Sequence, residues 1–190
     1  MSPLARIFGI LIGTGVFMTS AWGAPALNSR DIVVHRDAQA GFIFQYPKSW
    51  SPVPSTFERT RIKIVSEQGA GGEDCGVNVQ IDESLRNVSP QEAIRRMPDA
   101  RNYQRALRVG LPDATVVENG RTHLSNQDAV FFIITFTVRS VGLEVPGKMI
   151  AVQTARNGKV YTVSCRAGRN EFDRLMPVFQ LIFAGFLIKN

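Results

Sequence analysis

The sequence contains few of the residues that build metal sites and nucleophilic active centres. Its 190 residues include two cysteines and two histidines. A zinc site usually takes three or four ligands, and neither His35 nor His123 has enough such neighbours in the sequence. His35 and Asp37 share one face of a strand, but the cationic Arg36 between them repels a metal ion. We therefore expect no metal site and no cofactor.

The sequence motifs of several enzyme classes are also missing. The chain has no Gly-x-Ser-x-Gly elbow and no Cys–His pair that would indicate a nucleophile. The glycine-rich stretch 69–72 lacks the Gly-Lys-Ser/Thr ending that cradles phosphate. Two carboxylate pairs, Glu73 with Asp74 and Asp82 with Glu83, are the residues on which a hydrolase acting on envelope glycan or lipid would depend. Because neighbours on a strand point to opposite faces, we expect no enzyme and keep hydrolysis as an alternative.

After residue 23 no hydrophobic run reaches the length of a membrane span, and the beginning of the chain has a pattern of its own. The single charge of Arg6 precedes an uncharged stretch at 7–18 and the small-x-small sequence Ala-Trp-Gly at 21–23. This order is typical of a signal peptide, and the stretch is shorter than the about 20 apolar residues of a membrane span. We predict a signal peptide at 1–23, removed before Ala24, and a periplasmic or secreted protein. A retained N-terminal anchor and a cut two or three residues later are the alternatives.

The two cysteines are predicted to form a disulfide. Cys75 begins an alternating run with Val77 and Val79, and Cys165 ends another with Val163. This alternation places both sulfurs on the core side of strands, and an isolated pair in an oxidising compartment usually bridges. In the chain-entropy model, closing a loop of about 90 residues stabilises by roughly 4–5 kcal/mol. Two separate buried thiols are the alternative.

Residues 24–190 have the length of a single domain, and their alternating hydrophobicity predicts a series of strands. The segment 129–139 is apolar on both faces, so we expect it to lie centrally, covered on both sides. Asn157-Gly158 between two alternating runs predicts a tight hairpin, and Asn119-Gly120 predicts a turn inside 114–124. The other predicted strands are 32–35, 41–46, 61–66, a strand from Cys75, 148–155 and 160–166.

Two short helices are predicted in the middle of the chain. Residues 89–92 read Ser-Pro-Gln-Glu, a start signal in which serine is the cap and the carboxylate of Glu92 reaches back to the cap amide. This helix should end near Met97 because a proline follows. Asp99 is positioned to cap a second helix over 100–109.

The last predicted element is a longer helix. Apolar residues recur at three- and four-residue steps over 172–186, with Asn170 as the expected cap and a bend at Pro177. Helices packed on an antiparallel sheet give an α+β fold. We therefore predict one α+β domain over 24–190.

Three segments resemble the PsbP-like superfamily. Residues 41–50 read Gly-Phe-Ile-Phe-Gln-Tyr-Pro-Lys-Ser-Trp, which is similar to that family's aromatic strand ending in Tyr-Pro-x-x-Trp. Residues 158–163, Gly-Lys-Val-Tyr-Thr-Val, resemble its penultimate hairpin, and 183–186, Phe-Ala-Gly-Phe, resemble the end of its last helix, where Ser-Phe is commoner. The resemblance, to PsbP and its exported bacterial and DcrB-like relatives, implies an α-β-α sandwich around an antiparallel sheet. It also implies binding of protein partners or small ligands instead of catalysis.

Basic residues provide the candidate binding surface. The formal net charge is +6, and arginine outnumbers lysine by 17 to 5. Positions i, i+4 and i+7 lie on one helical face, and arginines in register can grip phosphates or carboxylates through paired hydrogen bonds. A solvated basic face without a partner is the alternative. The predicted binding residues are Arg101, Arg105 and Arg108, with Arg95 and Arg96 just before them.

The leading functional hypothesis is a non-enzymatic exported binding or adaptor protein of the cell envelope. Its expected partner is an envelope protein or an anionic lipid or glycan, which includes peripheral contact with a membrane. Nucleic acid is not expected, because no aromatic stacking platform accompanies the arginines. A small-ligand carrier is a further alternative, which an apolar cavity between the sheet and the last helix would indicate. The oligomeric state does not follow from the sequence.

Overall fold

The computed structural model of the protein describes residues 31–67, 72–140 and 142–189. The predicted signal peptide at 1–23 lies outside the described residues. Within these ranges the chain forms ten β-strands, three α-helices and a short 3-10 helix at Glu83–Leu85. In chain order the elements are β1 (Ile32–Asp37), β2 (Phe42–Pro47), β3 (Trp50–Val53), β4 (Thr60–Ser66), β5 (Asp74–Ile81), α1 (Pro90–Arg96), α2 (Ala100–Leu107), β6 (Thr115–Leu124), β7 (Gln127–Ser140), β8 (Leu143–Arg156), β9 (Lys159–Gly168), α3 (Phe172–Ala184) and β10 (Phe186–Ile188).

The strands form two antiparallel sheets. The larger has seven strands in the order β3-β4-β5-β9-β8-β7-β6, and the smaller has three in the order β1-β2-β10. The small sheet and α3 pack on one face of the large sheet, which we call the α3 face. Helices α1 and α2 pack on the opposite face, which we call the α1/α2 face. The predicted α+β fold with helices on both sides of an antiparallel sheet is confirmed.

The main hydrophobic core lies on the α3 face. Its largest fully buried side chains are phenylalanines that are 0–1% exposed and come from three different elements: β2, α3 and β10. Phe172 and Phe179 meet edge-on with ring centroids 5.6 Å apart, and Trp50 of β3 meets Phe179 in the same geometry at 6.4 Å. The apolar stripe read from the sequence of α3 is therefore the face that the helix buries.

The predicted disulfide is confirmed, and it crosses the middle of the large sheet. Cys75 of β5 and Cys165 of β9 are directly opposite each other in the strand register, and their sulfur atoms are bonded. Both residues are buried within the main core. The bridge joins positions 90 residues apart in the chain, so it ties the first half of the sheet to the second.

Strand β7 packs apolar residues on both of its faces, but it lies next to the edge strand β6 and not centrally as predicted. It pairs with β6 on one side and β8 on the other. Phe132 and Ile134 point to the α1/α2 face, where the ring of Phe132 stacks on Tyr103 of α2 with centroids 4.2 Å apart. Phe131 and Ile133 point to the opposite face and pack against the main core. Phe132 and Ile134 are buried, whereas Phe131 and Ile133 are only partly buried.

The turn predicted at Asn119-Gly120 is wrong. Both residues lie inside the continuous strand β6, where Gly120 pairs with Phe131 of β7. A Cβ atom on Gly120 would come within 2.8 Å of the Phe131 ring, so glycine here makes room for that ring. The hairpin turn falls instead at Ser125 and Asn126, with φ angles of 55° and 59°. Serine is uncommon in such turns, which explains why the pattern pointed elsewhere, while the turn predicted at Asn157-Gly158 is confirmed with φ of 51° and 74°.

The two short helices begin where the sequence predicts. The Ser89 hydroxyl accepts a hydrogen bond from the Glu92 amide at 3.2 Å, and the Asp99 carboxylate accepts one from the Asn102 amide at 2.8 Å. The carboxylate of Glu92, however, binds the two arginines of α1 instead of the cap amide.

The start of the third helix differs from the prediction. The N-terminal cap position of α3 is Glu171, which makes no side-chain capping hydrogen bond, and the prediction of Asn170 as the cap is wrong. Pro177 lies inside α3, and the helix continues to Ala184. Burial of Phe172, Phe179 and Ile182 offsets the cost of that proline.

Candidate functional site

A cavity of about 610 Å³ lies between the large sheet and the end of α3. Its floor is apolar and comes from the α3 face of β7 and β8: Phe131, Ile133, Ile150 and Val152. One wall is formed where α3 ends and β10 begins, by Phe183, Ala184 and Leu187. The sequence alternative of a small-ligand carrier required a cavity of this kind in this place.

The cavity exists because α3 is too short to cover the whole sheet. The helix stops at Ala184, and the chain then turns through Gly185 into β10. A Cβ atom on Gly185 would lie 2.8 Å from both Cβ and the carbonyl oxygen of Gln45 in β2. The Gln45 amide donates to the Gly185 carbonyl at 3.0 Å, so only glycine allows this close approach. The helix end is thereby tied to the small sheet, and the apolar floor beside it is left open.

The rim of the cavity is polar and carries charges of both signs. Glu118 and Arg121 come from β6, and Gln180 comes from α3. His123, also from β6, has its Nε2 atom 3.5 Å from a carboxylate oxygen of Asp128. These groups surround an opening above an apolar floor, which is the arrangement that suits a ligand with an apolar body and a polar end.

The hairpin between β6 and β7 is anchored at the mouth of the cavity. The hydroxyl of Ser125, in the tight turn, accepts a hydrogen bond from the Ile188 amide of β10 at 2.7 Å. Leu187, the residue before, lines the cavity and is 38% exposed. The turn therefore fixes the position of a partly exposed leucine beside the opening.

The carboxylate pairs considered for hydrolysis are not among the residues that line this cavity. Asp74 binds Arg166 at 2.6 Å and Lys63 at 3.2 Å. Asp82 accepts from the Ser84 amide and hydroxyl at the start of the 3-10 helix. Glu83 pairs with Arg86. These contacts give the three carboxylates structural roles, whereas Glu73 is buried and its Oε2 atom has no hydrogen-bond partner among the described residues.

The described part of the chain contains no group of three or more His, Cys, Asp or Glu residues placed to hold a metal ion. His35 and Asp37, the two residues considered as metal ligands in the sequence, differ in their contacts. Asp37 binds Arg61 at 2.8 Å and accepts from the Ala40 amide at 2.8 Å. Burial alone raises the pKa of Asp37, but the hydrogen bonds from Arg61 and Ala40 outweigh it and hold that pKa below its ordinary value of 3.8. The Nε2 atom of His35 is buried without a hydrogen-bond partner among the described residues.

The five predicted binding arginines differ in how they are held. Arg95 and Arg96 both bind the Glu92 carboxylate, at 2.5 and 2.8 Å, and Arg108 donates to the Ala114 carbonyl at 3.0 Å. Arg101 and Arg105 of α2 are exposed. All five lie on α1 and α2 or at the end of α2, so they are on the opposite side of the sheet from the cavity. Binding of a partner by these arginines stays a prediction.

The sequence reasoning missed the residues around the cavity. The sequence predicts a strand with two apolar faces at 129–139 and a strand at 148–155, and it indicates no opening beside them. Part of this surface stays uncovered because α3 ends at Ala184 and Gly185 packs closely against Gln45. A pattern of hydrophobicity in the sequence does not show either feature. The rim residues Glu118 and His123 lie on β6. Because the sequence predicted a turn at Asn119-Gly120, it did not place these two residues on one continuous strand.

Similarity to solved structures identifies the fold as PsbP-like. The cyanobacterial PsbP protein CyanoP from Synechocystis sp. PCC 6803 superimposes with a TM-score of 0.61 at 13% identity, covering 83% of this chain and 92% of its own. LpqN of Mycobacterium tuberculosis, a protein involved in cell envelope biogenesis, gives a TM-score of 0.54 at 14% identity, covering 84% and 91%.

A third similar structure, from Bacteroides thetaiotaomicron, has a TM-score of 0.50 at 10% identity, and the match covers 84% of this chain and 48% of that one. No protein-family model matches the sequence, and no curated protein matches it. The low identities mean that the likeness defines the fold and leaves the function to be argued from the site.

No helix in the described ranges is both long enough and apolar enough to cross a membrane.

Proposed function

We propose that the protein is an exported binding protein of the cell envelope that holds a small amphiphilic ligand in the cavity between β7, β8 and the end of α3. The observation that carries the proposal is the open apolar floor beneath a rim of mixed charge, in a cavity of about 610 Å³. This volume lies within the range of about 300–1,000 Å³ typical of ligand sites.

Two further observations support an envelope location. The Cys75–Cys165 disulfide is of a kind that persists in oxidising compartments. LpqN, which shares the fold, is involved in cell envelope biogenesis. The proposed role is binding without catalysis, since none of the four carboxylates considered for hydrolysis lines the cavity.

A fluorescent fatty acid tests the cavity. The probe 11-(dansylamino)undecanoic acid has an apolar chain and a carboxylate, and its emission rises on entering an apolar site. We expect saturable binding to the purified protein. In the variant Leu187→Glu a charge at the opening should weaken binding at least about tenfold, equal to about 1.4 kcal/mol.

Leu143→Glu is the matched control. Leu143 is also an exposed leucine on a strand, at 69% exposure, but it lies on the β7–β8 hairpin and does not line the cavity. Its affinity for the probe should equal that of the unaltered protein. Absence of binding, or equal affinity in both leucine variants, would contradict the proposal.

A second candidate function, contact with an anionic partner, rests on Arg101 and Arg105. Both are exposed on α2, and no ion pair involves them in the described residues, whereas Arg95 and Arg96 are occupied by Glu92. Two exposed cations on adjacent turns of one helix suit a surface of phosphate groups.

Sedimentation with vesicles tests this second candidate. We expect binding to vesicles of phosphatidylglycerol but not of phosphatidylcholine, and loss of binding in Arg101→Glu/Arg105→Glu. The double variant Arg86→Glu/Arg174→Glu changes the net charge equally at two other exposed arginines. If both double variants lose vesicle binding equally, the binding depends on net charge alone. If Arg101→Glu/Arg105→Glu still binds, these two arginines are not the binding surface.

A further inference from the structure

A second groove, of about 520 Å³, lies on the α1/α2 face of the large sheet. Helices α1 and α2 cover only the part of this face near β6, β7 and β8. Beyond α2 the sheet surface is open, and the groove runs between Tyr103 of α2 and the loop that joins β3 to β4. It is therefore separated from the amphiphile cavity by the full thickness of the sheet.

Most of the floor of this groove consists of planar amides and hydroxyls on neighbouring strands, with one apolar residue, Val160 of β9. Asn78 and Gln80 come from β5, Thr162 from β9, Gln153 from β8 and Thr60 from β4. They are already partly ordered, since Thr60 donates to the Asn78 side-chain oxygen at 2.6 Å and Gln153 donates to the Thr162 hydroxyl at 2.9 Å. Such side chains both donate and accept hydrogen bonds, so they match a ligand rich in hydroxyl groups.

Gln153 carries an unused hydrogen-bonding atom in the floor. The residue is 8% exposed, and its side-chain carbonyl oxygen is buried without a partner among the described residues. Buried polar side-chain atoms normally have a partner. A hydroxyl-bearing ligand in the groove would supply a donor there after a rotation of the terminal amide.

The walls add two aromatic residues. Phe57, in the β3–β4 loop, is 76% exposed and lines the groove. Tyr103 forms the opposite wall, with its ring held against Phe132. Burial raises the pKa of Tyr103 to about 12, so its hydroxyl stays protonated at neutral pH and can donate. An exposed phenylalanine ring offers a flat apolar surface on which the C–H face of a sugar ring stacks.

The charges in the groove disfavour an anionic ligand. Glu58 and Arg59 are the charged residues that line it, and their charges cancel. Arg59 also donates to the Gln80 side-chain oxygen at 3.1 Å, which orients that amide. A surplus of cations strengthens the binding of phosphate or carboxylate, and this groove does not provide one.

From these contacts we infer that the groove between α2 and the β3–β4 loop binds a neutral saccharide, with one sugar ring stacked on Phe57 and its hydroxyls bonded to Asn78, Gln80 and Gln153. This site is independent of the amphiphile cavity and of the arginines of α2. It would allow the protein to hold an envelope glycan on one face and an amphiphile on the other.

Nuclear magnetic resonance titration tests the inference. The nitrogen-15-labelled protein is titrated separately with the β-1,4-linked trisaccharide of N-acetylglucosamine and with maltotriose. With at least one of them we expect saturable shifts confined to the backbone amides of residues 57–60, 78–80, 153 and 162, with a Kd of about 1 mM or tighter. No saturable shift with either sugar, or shifts clustered elsewhere, would overturn the inference.

Variants then assign the contacts. Phe57→Ala should weaken the binding of that sugar at least about tenfold, and Gln153→Leu should also weaken it while the spectrum stays that of a folded protein. Val109→Ala removes another exposed apolar side chain, 91% exposed and outside the groove, and should leave affinity unchanged. Unchanged affinity in Phe57→Ala would overturn the stacking role, and shifts produced in the groove by trialanine but by neither sugar would overturn the saccharide assignment in favour of peptide.

Discussion

The two faces of the seven-stranded sheet are built very differently. On the α3 face, the helix α3, a second sheet and the disulfide form one continuous core with fully buried phenylalanines. On the α1/α2 face, two short helices cover two smaller clusters, one around Phe132 and one around Leu85. The comparison indicates that the α3 face supplies most of the stability, while the partly covered α1/α2 face is free to carry polar surface.

Each face nevertheless leaves one opening, and the openings differ as the faces do. The opening on the α3 face has an apolar floor because it is an uncovered part of the core surface. The opening on the α1/α2 face has a floor rich in amides and hydroxyls because it lies beyond the edge of α2, where the helices leave the sheet uncovered. Each proposed ligand class thus follows from the packing of the face on which its site lies.

Substitution of one phenylalanine on each face should give the largest contrast. Phe179→Ala removes a side chain that is 0% exposed in the main core and should lower the free energy of unfolding by about 3–5 kcal/mol. Phe57→Ala, at 76% exposure on the other side, should change it by about 0.5 kcal/mol or less. Urea unfolding followed by circular dichroism measures both, and similar losses in the two variants would refute the contrast between the faces.

Loss of the disulfide should have the next largest effect. The double variant Cys75→Ala/Cys165→Ala removes the link between β5 and β9 and should cost about 2–5 kcal/mol of unfolding free energy. The unaltered protein unfolded under reducing conditions should lose a similar amount, whereas the double variant should not respond to reductant. A double variant as stable as the unaltered protein would show that the bridge adds nothing to the α3 face.

A smaller, pH-dependent effect is expected where the two sheets meet. Because the folded pKa of Asp37 lies below 3.8, its ionised form stabilises the protein at higher pH, and that contribution is lost as pH falls through the folded pKa. Asp37→Asn should therefore destabilise by about 1 kcal/mol near neutral pH and by less in acid. Urea unfolding of both proteins at neutral pH and in acid measures this difference in unfolding free energy. If Asp37→Asn lost the same unfolding free energy at both pH values, the role of the charge would be contradicted.

The sequence predicted the elements whose signals are local. The cap residues Ser89 and Asp99, the turn at Asn157-Gly158 and the paired cysteines all act through neighbours in the chain or through strand alternation, and all are confirmed. The resemblance of 41–50 to the PsbP-like aromatic strand also led to the correct fold.

The errors and omissions have a physical cause in long-range packing. Gly120 reads as a turn residue, but its role is to accommodate the ring of Phe131 on the neighbouring strand. The cavity depends on where α3 ends relative to the sheet, and the groove depends on how far α2 reaches across it. The periodicity of a single segment does not show where α3 ends on the sheet or how far α2 reaches across it. The sequence therefore pointed to the arginines of the helices as the candidate binding residues.

The central claim, that the cavity beside α3 binds an amphiphile, is tested most directly by intermolecular nuclear Overhauser effects between the dansylated fatty acid and the protein. We expect contacts from the acyl chain to the methyl groups of Ile133, Ile150 and Val152, which line the cavity. Contacts confined to the α1/α2 face or to the β7–β8 hairpin, or no contacts from a probe that binds, would contradict it.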